Sequence, residues 1–102
     1  MTDAATPTIQ VYWRPGCPYC SGLLRRLAKS GLPIEKANIW TDDEARAFVR
    51  RHAQGNETVP TVAIGDTVWV NPPFATVAAE AERVGIVPDP AATSPKRRLR
   101  RR

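Results

Sequence analysis

Residues 13–20 read Trp-Arg-Pro-Gly-Cys-Pro-Tyr-Cys and contain both cysteines of the 102-residue chain. Ahead of them, the side chains of residues 9–13 alternate between apolar and more polar, which is typical of a β-strand. Behind them, leucine and alanine recur at helical spacing up to Gly31, a residue type that commonly ends a helix. The two cysteines are therefore predicted to lie where a first strand turns into a first helix over residues 18–30.

The number and spacing of the cysteines limit what they can do. A closed zinc site needs four Cys or His ligands, and Cys17, Cys20 and His52 are the only such residues in the chain. A disulfide across so short a loop would constrain the unfolded chain little, and it would not persist in a reducing cytosol without a functional need. We therefore interpret the pair as a redox dithiol, with no bound metal or cofactor.

The start of a helix is a suitable place for a reactive sulfur. The amides of the first turn, notably those of Tyr19 and Cys20, should point at the sulfur of Cys17, and the positive end of the helix dipole favours its thiolate. Such surroundings lower a cysteine pKa from about 8.5 to between roughly 3.5 and 7.5. Cys20 lies further inside the helix and should stay protonated. We expect Cys17 to attack a disulfide and Cys20 to resolve the product, while Arg14 is a candidate source of additional positive potential.

The rest of the chain predicts five more elements. They are a strand over residues 34–39, a helix from a capping box at residues 41–44 to about Gln54, two hairpin strands over residues 61–64 and 67–70, and a helix from about Phe74 to Arg83. Strands joined through a helix lie parallel with a right-handed crossover, whereas hairpin strands are antiparallel. The order β-α-β-α-β-β-α therefore predicts an α/β domain whose mixed four-stranded sheet has helices on both faces.

Local signals mark the ends of these elements. Thr41 and Glu44 have the spacing of a capping box at the start of the second helix. The Gly-Asp pair at residues 65–66 suits a type II′ hairpin turn. Asn71 is a candidate cap for the third helix, with Pro72 at its first position, where a missing N–H costs nothing.

The net charge of +5 comes from one end of the chain. Residues 96–102 contain six of the fifteen basic residues, which leaves nine basic against ten acidic residues in the other 95. The body is thus nearly neutral, which excludes a function driven by a basic surface. The like charges at the end are typical of a solvated tail, although binding of that tail to nucleic acid or anionic lipid is an alternative.

Composition predicts one compact domain. With 42% hydrophobic and 25% charged residues the chain is an ordinary globular one, and no apolar run is long enough to span a membrane or to serve as a secretory signal. We expect a flexible leader over residues 1–7, the domain over residues 8–87, a flexible basic tail over residues 88–102, and a cytoplasmic location.

Two segments together resemble a known family. Residues 13–20, with Thr-Val-Pro-Thr-Val at residues 58–62, resemble the glutaredoxin family of the thioredoxin-like fold, and the resemblance extends over roughly residues 8–85. It implies that the bond before Pro60 is cis and that a bound thiol substrate pairs antiparallel with the backbone of Val59. The candidate substrate-binding residues are Arg14, Tyr19, Thr58, Val59 and Pro60.

One departure from the family pattern points to a branch of it. Dithiol glutaredoxins have a Gly-Gly-x-Asp type segment after the fourth strand, where glutathione is held, but residues 70–74 here read Val-Asn-Pro-Pro-Phe. Together with Gly-Asn-x-Thr-Val-Pro at residues 55–60, this looks like the mycoredoxins, the actinobacterial branch that reduces mixed disulfides with mycothiol. The resemblance implies mycothiol as reducing co-substrate, S-thiolated proteins as substrates, a flavin disulfide reductase as a possible partner, and a monomer that needs neither nucleic acid nor membrane.

Two other functions remain open from the sequence. One is a glutaredoxin-like hydrogen donor that takes its electrons from thioredoxin reductase. The other is a binding module in which two chains share a metal or an iron–sulfur cluster through Cys17, although the second cysteine and the Pro-Tyr between the pair disfavour it. We expect His52 to be a surface residue, and Trp40 and Trp69 to be packing residues rather than ligand platforms.

Overall fold

The computed structural model describes residues 7–88. The expected leader and tail lie outside the described residues except for Pro7 and Pro88. The elements are β1 (Ile9–Trp13), α1 (Pro18–Ser30), β2 (Ile34–Asn38), α2 (Asp43–His52), β3 (Thr61–Ile64), β4 (Thr67–Val70) and α3 (Phe74–Val84). This order confirms the predicted β-α-β-α-β-β-α succession. In the part of the chain that the structure describes, no helix is long and apolar enough to cross a membrane.

The four strands form one mixed sheet in the order β2-β1-β3-β4. β1 runs parallel to β2 and antiparallel to β3, and β3 runs antiparallel to β4. As a result, β1, β2 and β4 finish at the same end of the sheet, and β3 begins there. The residues that follow β1, β2 and β4, and those that precede β3, are thereby placed side by side at this end.

Helices cover both faces of the sheet, as predicted. On one face, alternate residues of β1 and β3 pack with buried side chains of α1 and α3 in a first cluster of Ile9, Val11, Leu23, Leu27, Val62, Ile64, Val77, Ala81 and Ile86. On the other face, α2 covers a second cluster, which contains Cys17, Cys20, Ile39, Ala45, Val49, Ala53 and Val59. Burial of these apolar side chains supplies the main driving force for the fold. The second cluster reaches the end of the sheet where the cysteines lie.

The start of α2 differs from the predicted capping box. The side chain of Asp42, and not that of Thr41, accepts hydrogen bonds from the amides of Glu44 and Ala45, both at 3.1 Å. The carbonyl of Asn38 accepts from the amides of Thr41 and Asp42 in a tight turn, which shifts the capping position by one residue. The predicted cap at Thr41 is therefore wrong in position.

Two other boundaries differ by one or two residues. β2 ends at Asn38 rather than Ile39, although the Ile39 amide still donates to the Trp13 carbonyl at 2.9 Å. α2 ends at His52 rather than near Gln54, because Gln54 has a φ of 58° and has left the helical conformation. The hairpin turn agrees with the type II′ prediction, since Gly65 has a φ of 60° whereas Asp66 does not have a positive φ.

Asn71 does not cap α3. Its φ is 57°, and its amide donates to the carbonyl of Pro60 at 2.6 Å, which extends the pairing of β4 with β3 by one residue. Pro73 instead occupies the capping position without a side-chain hydrogen bond, so Pro72 precedes the helix rather than beginning it. The prediction failed because the backbone of Asn71 is used by the sheet before α3 starts.

Candidate active site

The position of Cys17 follows from the turn between β1 and α1. Cys17 has an extended backbone with φ −104° and ψ 109° and is the N-cap of α1, with Pro18 at the first helical position. The amide of Cys20 donates to the Cys17 Sγ at 3.3 Å. The helix thus begins with a sulfur where serine or aspartate usually accepts this bond. Both cysteines are free thiols.

Opposing effects act on the ionisation of Cys17. Burial raises the pKa of its thiol, because the sulfur is withdrawn from water and the side chain is only 5% exposed. Hydrogen bonds from the thiol and the amide of Cys20, a bond from the amide of Tyr19 and the positive charge of Arg14 together outweigh burial, so the pKa of Cys17 lies below its ordinary value. Arg14 therefore adds positive potential at this sulfur.

Cys20 has the opposite character. Burial raises the pKa of Cys20 to about 12, and its hydrogen bond to Cys17 and the charge of the Cys17 thiolate act in the same direction. The amide and the guanidinium of Arg14 oppose this shift but do not overcome it. Its side chain is 1% exposed. At neutral pH, Cys20 is a protonated donor beside a sulfur that readily loses its proton.

The segment before β3 lies against the dithiol. The Val59–Pro60 bond is cis, as the resemblance implied. The Cys17 Sγ donates to the Val59 carbonyl across 3.7 Å, and the Thr61 hydroxyl donates to the Thr58 carbonyl at 2.9 Å. Val59 and Pro60 are buried, whereas Thr58 is exposed. The structure thus brings the candidate residues 58–60 together with both cysteines.

A groove opens on the β4 side of the cysteines. It has a volume of about 350 Å³ and is lined by Tyr19, Leu23, Arg26, Asn71, Pro72, Pro73 and Phe74. Tyr19 is 70% exposed, and the Arg26 guanidinium lies 4.8 Å from the centroid of the Phe74 ring. The residues that replace the Gly-Gly-x-Asp type segment therefore form one wall of this groove. Arg26 was not predicted from the sequence.

An aromatic residue lies on the β2 side. Trp40 is 56% exposed, so the expectation that it is a packing residue was wrong, whereas Trp69 packs against the first cluster as expected. The Arg14 guanidinium carbon lies 5.9 Å from the centroid of the Trp40 ring. The position of Trp40 directly after Ile39, the last apolar residue of the predicted strand, was the available signal. His52 is exposed, which confirms it as a surface residue.

Comparisons with known proteins agree with this geometry. The family model described as Glutaredoxin matches residues 9–69. Mycoredoxin 1 of Corynebacterium glutamicum is 36% identical over 75 residues, which cover 72% of this chain and 92% of that protein.

Solved structures show the same fold. The crystal structure of a thioredoxin-like protein has a TM-score of 0.62 at 24% identity and covers 71% of this chain and 97% of the other. The buckwheat glutaredoxin–glutathione complex has a TM-score of 0.60 at 18% identity, with 79% and 82% covered. The fold is thioredoxin-like, and the chain belongs to the glutaredoxin family as a mycoredoxin-like thiol–disulfide oxidoreductase.

Proposed function

We propose that this enzyme reduces mixed disulfides between proteins and mycothiol, with Cys17 as the nucleophile and Cys20 as the resolving thiol. The observation that carries the proposal is the asymmetry of the two sulfurs, since one has a lowered pKa at a helix start and the other has a pKa of about 12. Members of the family use low-molecular-weight thiols and act on protein substrates. Similarity to mycoredoxin 1 supports mycothiol as the thiol used here.

The first half of the reaction is a thiol–disulfide exchange. The Cys17 thiolate attacks the mycothiol sulfur of the mixed disulfide, a bond forms between these two sulfurs, and the protein leaves as a thiolate that takes a proton from water. The thiolate of a second mycothiol then attacks the mycothiol sulfur bound to Cys17. This step regenerates the Cys17 thiolate and releases mycothiol disulfide, so one disulfide is reduced as another forms.

Cys20 provides a second route by which the S-thiolated intermediate can be resolved. When its thiol loses a proton, its sulfur attacks the Cys17 sulfur, releases mycothiol and closes an intramolecular disulfide. Two electrons from thiols, or from a flavin disulfide reductase, then reopen that disulfide. The pKa of Cys20 is raised to about 12 by burial and by the neighbouring Cys17 thiolate, and S-thiolation of Cys17 removes the second of these causes.

We assign substrate contacts to the residues around the sulfurs. The backbone of Val59 would pair with the cysteinyl part of mycothiol, with Thr58 and Pro60 fixing that segment beside Cys17. Tyr19 and Arg14 border the sulfur on its two sides, toward the groove and toward Trp40. All these groups come from one chain, so we propose that the enzyme acts as a monomer, and we place it in the cytosol without a need for nucleic acid or membrane.

A comparison of reductants tests the proposal. One peptide is prepared as its mixed disulfide with mycothiol and with glutathione, and its release is followed with each thiol as reductant. We expect mycothiol to give the higher kcat/KM in both half-reactions, with Cys17→Ser as the inactive control. Equal or faster turnover with glutathione would contradict the proposal, as would turnover that required thioredoxin reductase.

A further inference from the structure

Trp40 is exposed although its backbone is firmly held. The Trp40 amide donates to the Asn38 Oδ1 at 2.9 Å, and the Asn38 carbonyl accepts from the next two amides along the chain. Arg46 of α2 donates to the carbonyl of Ile39 at 3.2 Å. The loop therefore presents the indole to solvent from a fixed position, which lowers the entropy cost of binding a ligand there.

The neighbours of Trp40 place it at the rim of the active site. Ile39 is fully buried in the second cluster together with both cysteines, and Trp40 is the next residue. Arg14 connects Trp40 with Cys17, since its guanidinium lies over the indole ring and its charge favours the Cys17 thiolate. The order of the strands sets Trp40, after β2, on one side of Cys17 and the groove, after β4, on the other.

The direction in which a co-substrate binds determines which side of Cys17 its carboxyl substituent occupies, and the expected direction favours the side of Trp40. The antiparallel pairing with Val59 that the resemblance implies would direct the N-acyl group of a cysteinyl ligand toward Pro60 and Asn71, and its carboxyl substituent toward Thr58. Thr58 ends the segment that arrives from α2, and Trp40 lies just before α2; their chain neighbours Val59 and Ile39 both belong to the second cluster. In mycothiol the carboxyl substituent is a glucosamine–inositol pair, so its two hydroxylated rings would extend toward α2.

We propose that Arg14 and Trp40 form a platform for the sugar portion of mycothiol, an assignment that rests on the proposed function. The C–H groups on the flat side of a sugar ring pack against the exposed part of the indole that Arg14 does not cover, and the guanidinium donates hydrogen bonds to the ring hydroxyls. The platform selects the thiol by its rings, separately from the chemistry at the sulfur. The protein arm of the mixed disulfide is the other possible occupant, and the test distinguishes the two.

The experiment uses two mixed disulfides of one peptide, one with mycothiol and one with N-acetylcysteine, which is the thiol end of mycothiol without its rings. Wild type, Trp40→Ala and Trp40→Phe are compared as full-length proteins. We expect Trp40→Ala to lose about fivefold to tenfold in kcat/KM for the mycothiol disulfide, the size of one aromatic contact. Turnover of the N-acetylcysteine disulfide should stay the same, and Trp40→Phe should recover part of the loss.

Every other outcome would contradict the proposal that Arg14 and Trp40 bind the sugar portion of mycothiol. An equal loss on both disulfides would mean that Trp40 contacts the peptide or positions Arg14, and no loss on either would mean that nothing binds the indole. A wild type that mycothiol does not reduce would overturn the proposed function together with the platform. Val87→Ala is the matched control, because Val87 is also an exposed apolar residue but follows α3, near the far end of α1.

A direct binding measurement supplements the kinetics. The glucosamine–inositol pair without its cysteine is titrated against the reduced protein while tryptophan fluorescence is recorded. The platform requires a saturable change that disappears in Trp40→Phe, in which Trp13 and Trp69 remain as internal references. A change that persists in this variant would place the sugar elsewhere.

Discussion

At the scale of single residues, the chemistry depends on how two neighbouring sulfurs share donors. The Cys17 Sγ accepts from the Cys20 amide, while the Cys20 thiol stays protonated and donates to it. The hydrogen bond from the Cys20 thiol to the Cys17 sulfur therefore lowers the pKa of Cys17 and raises the pKa of Cys20. Because a helix start supplies these donors without any change in conformation, the pKa of Cys17 is lowered before any substrate arrives.

Separate replacement of the cysteines should distinguish their roles. We expect Cys17→Ser to abolish reduction of mixed disulfides, because the only sulfur with a lowered pKa is lost. Cys20→Ser should retain turnover on mixed disulfides, since an external thiol can release S-thiolated Cys17. Release of peptide from a mixed disulfide measures both, and an inactive Cys20→Ser protein would show that the monothiol route is wrong.

A second prediction concerns the hydrogen bond from the Cys20 side chain. Cys20→Ala removes this donor and should raise the pKa of Cys17, whereas Cys20→Ser keeps a hydroxyl donor and should leave the pKa low. Titration of the thiolate by its ultraviolet absorbance measures the shift. The rate of attack should rise with pH through the pKa of Cys17 and then level off, so in Cys20→Ala the rise should begin at higher pH. Identical titrations of the two variants would remove this bond from the explanation.

At the scale of elements, α2 shows how a cap is chosen by its context. The amides of Glu44 and Ala45 are satisfied by the Asp42 carboxylate, which also lies favourably at the positive end of the helix. Thr41 instead directs its hydroxyl to the carbonyl of Asn38 at 3.4 Å. The side chain that stabilises this helix end is thus one residue beyond the one that the sequence motif indicates.

Replacing these two residues should have unequal effects on stability. Asp42→Ala should lower the free energy of unfolding by about 1 kcal/mol, because two amides at the start of α2 lose their acceptor. Thr41→Ala should have a clearly smaller effect, since its one hydrogen bond is long and exposed. Denaturant unfolding of both variants measures the difference, and a larger loss for Thr41→Ala would restore the predicted capping box.

Local patterns predicted the elements well and their ends less well. The bounds of β1, α1, β3 and β4 follow from alternation, helical spacing and the Gly-Asp turn, which depend on near neighbours in the chain. Asn71 was misassigned because its backbone bonds to Pro60, a contact between residues 11 apart. Cys17, Cys20 and residues 58–60 were predicted because they stand in short motifs, whereas the exposure of Trp40 depends on how β2 packs beside β1.

At the scale of the whole molecule, the excess positive charge and the two cysteines lie in different parts of the sequence. Removal of residues 96–102 takes away six positive charges and changes the net charge from +5 to −1. We expect a chain truncated after Pro95 to reduce an uncharged mixed disulfide as fast as the full chain, because the site is built from residues 14–74. Assays at several salt concentrations measure this, and a loss of activity at every ionic strength would give the tail a part in catalysis.

The end of the sheet combines four segments that are distant in the sequence. The central strands β1 and β3 bring the cysteines and the cis-proline segment, while the outer strands β2 and β4 bring Trp40 and Asn71. Neighbouring strands are about 4.8 Å apart, so the outer strands that lead into the two loops lie about 14 Å from each other, with Cys17 following the strand next to β2. A ligand with two substituents on its cysteine can reach both.

This arrangement bears on how such proteins diversify. Cys17 and its amide donors belong to one helix start beside the central strands of the sheet, and neither outer loop supplies a donor to the sulfur. Substitutions in the outer loops can therefore alter which reductant fits beside the sulfur while its amide donors stay in place, and Arg14 is the residue that takes part in both.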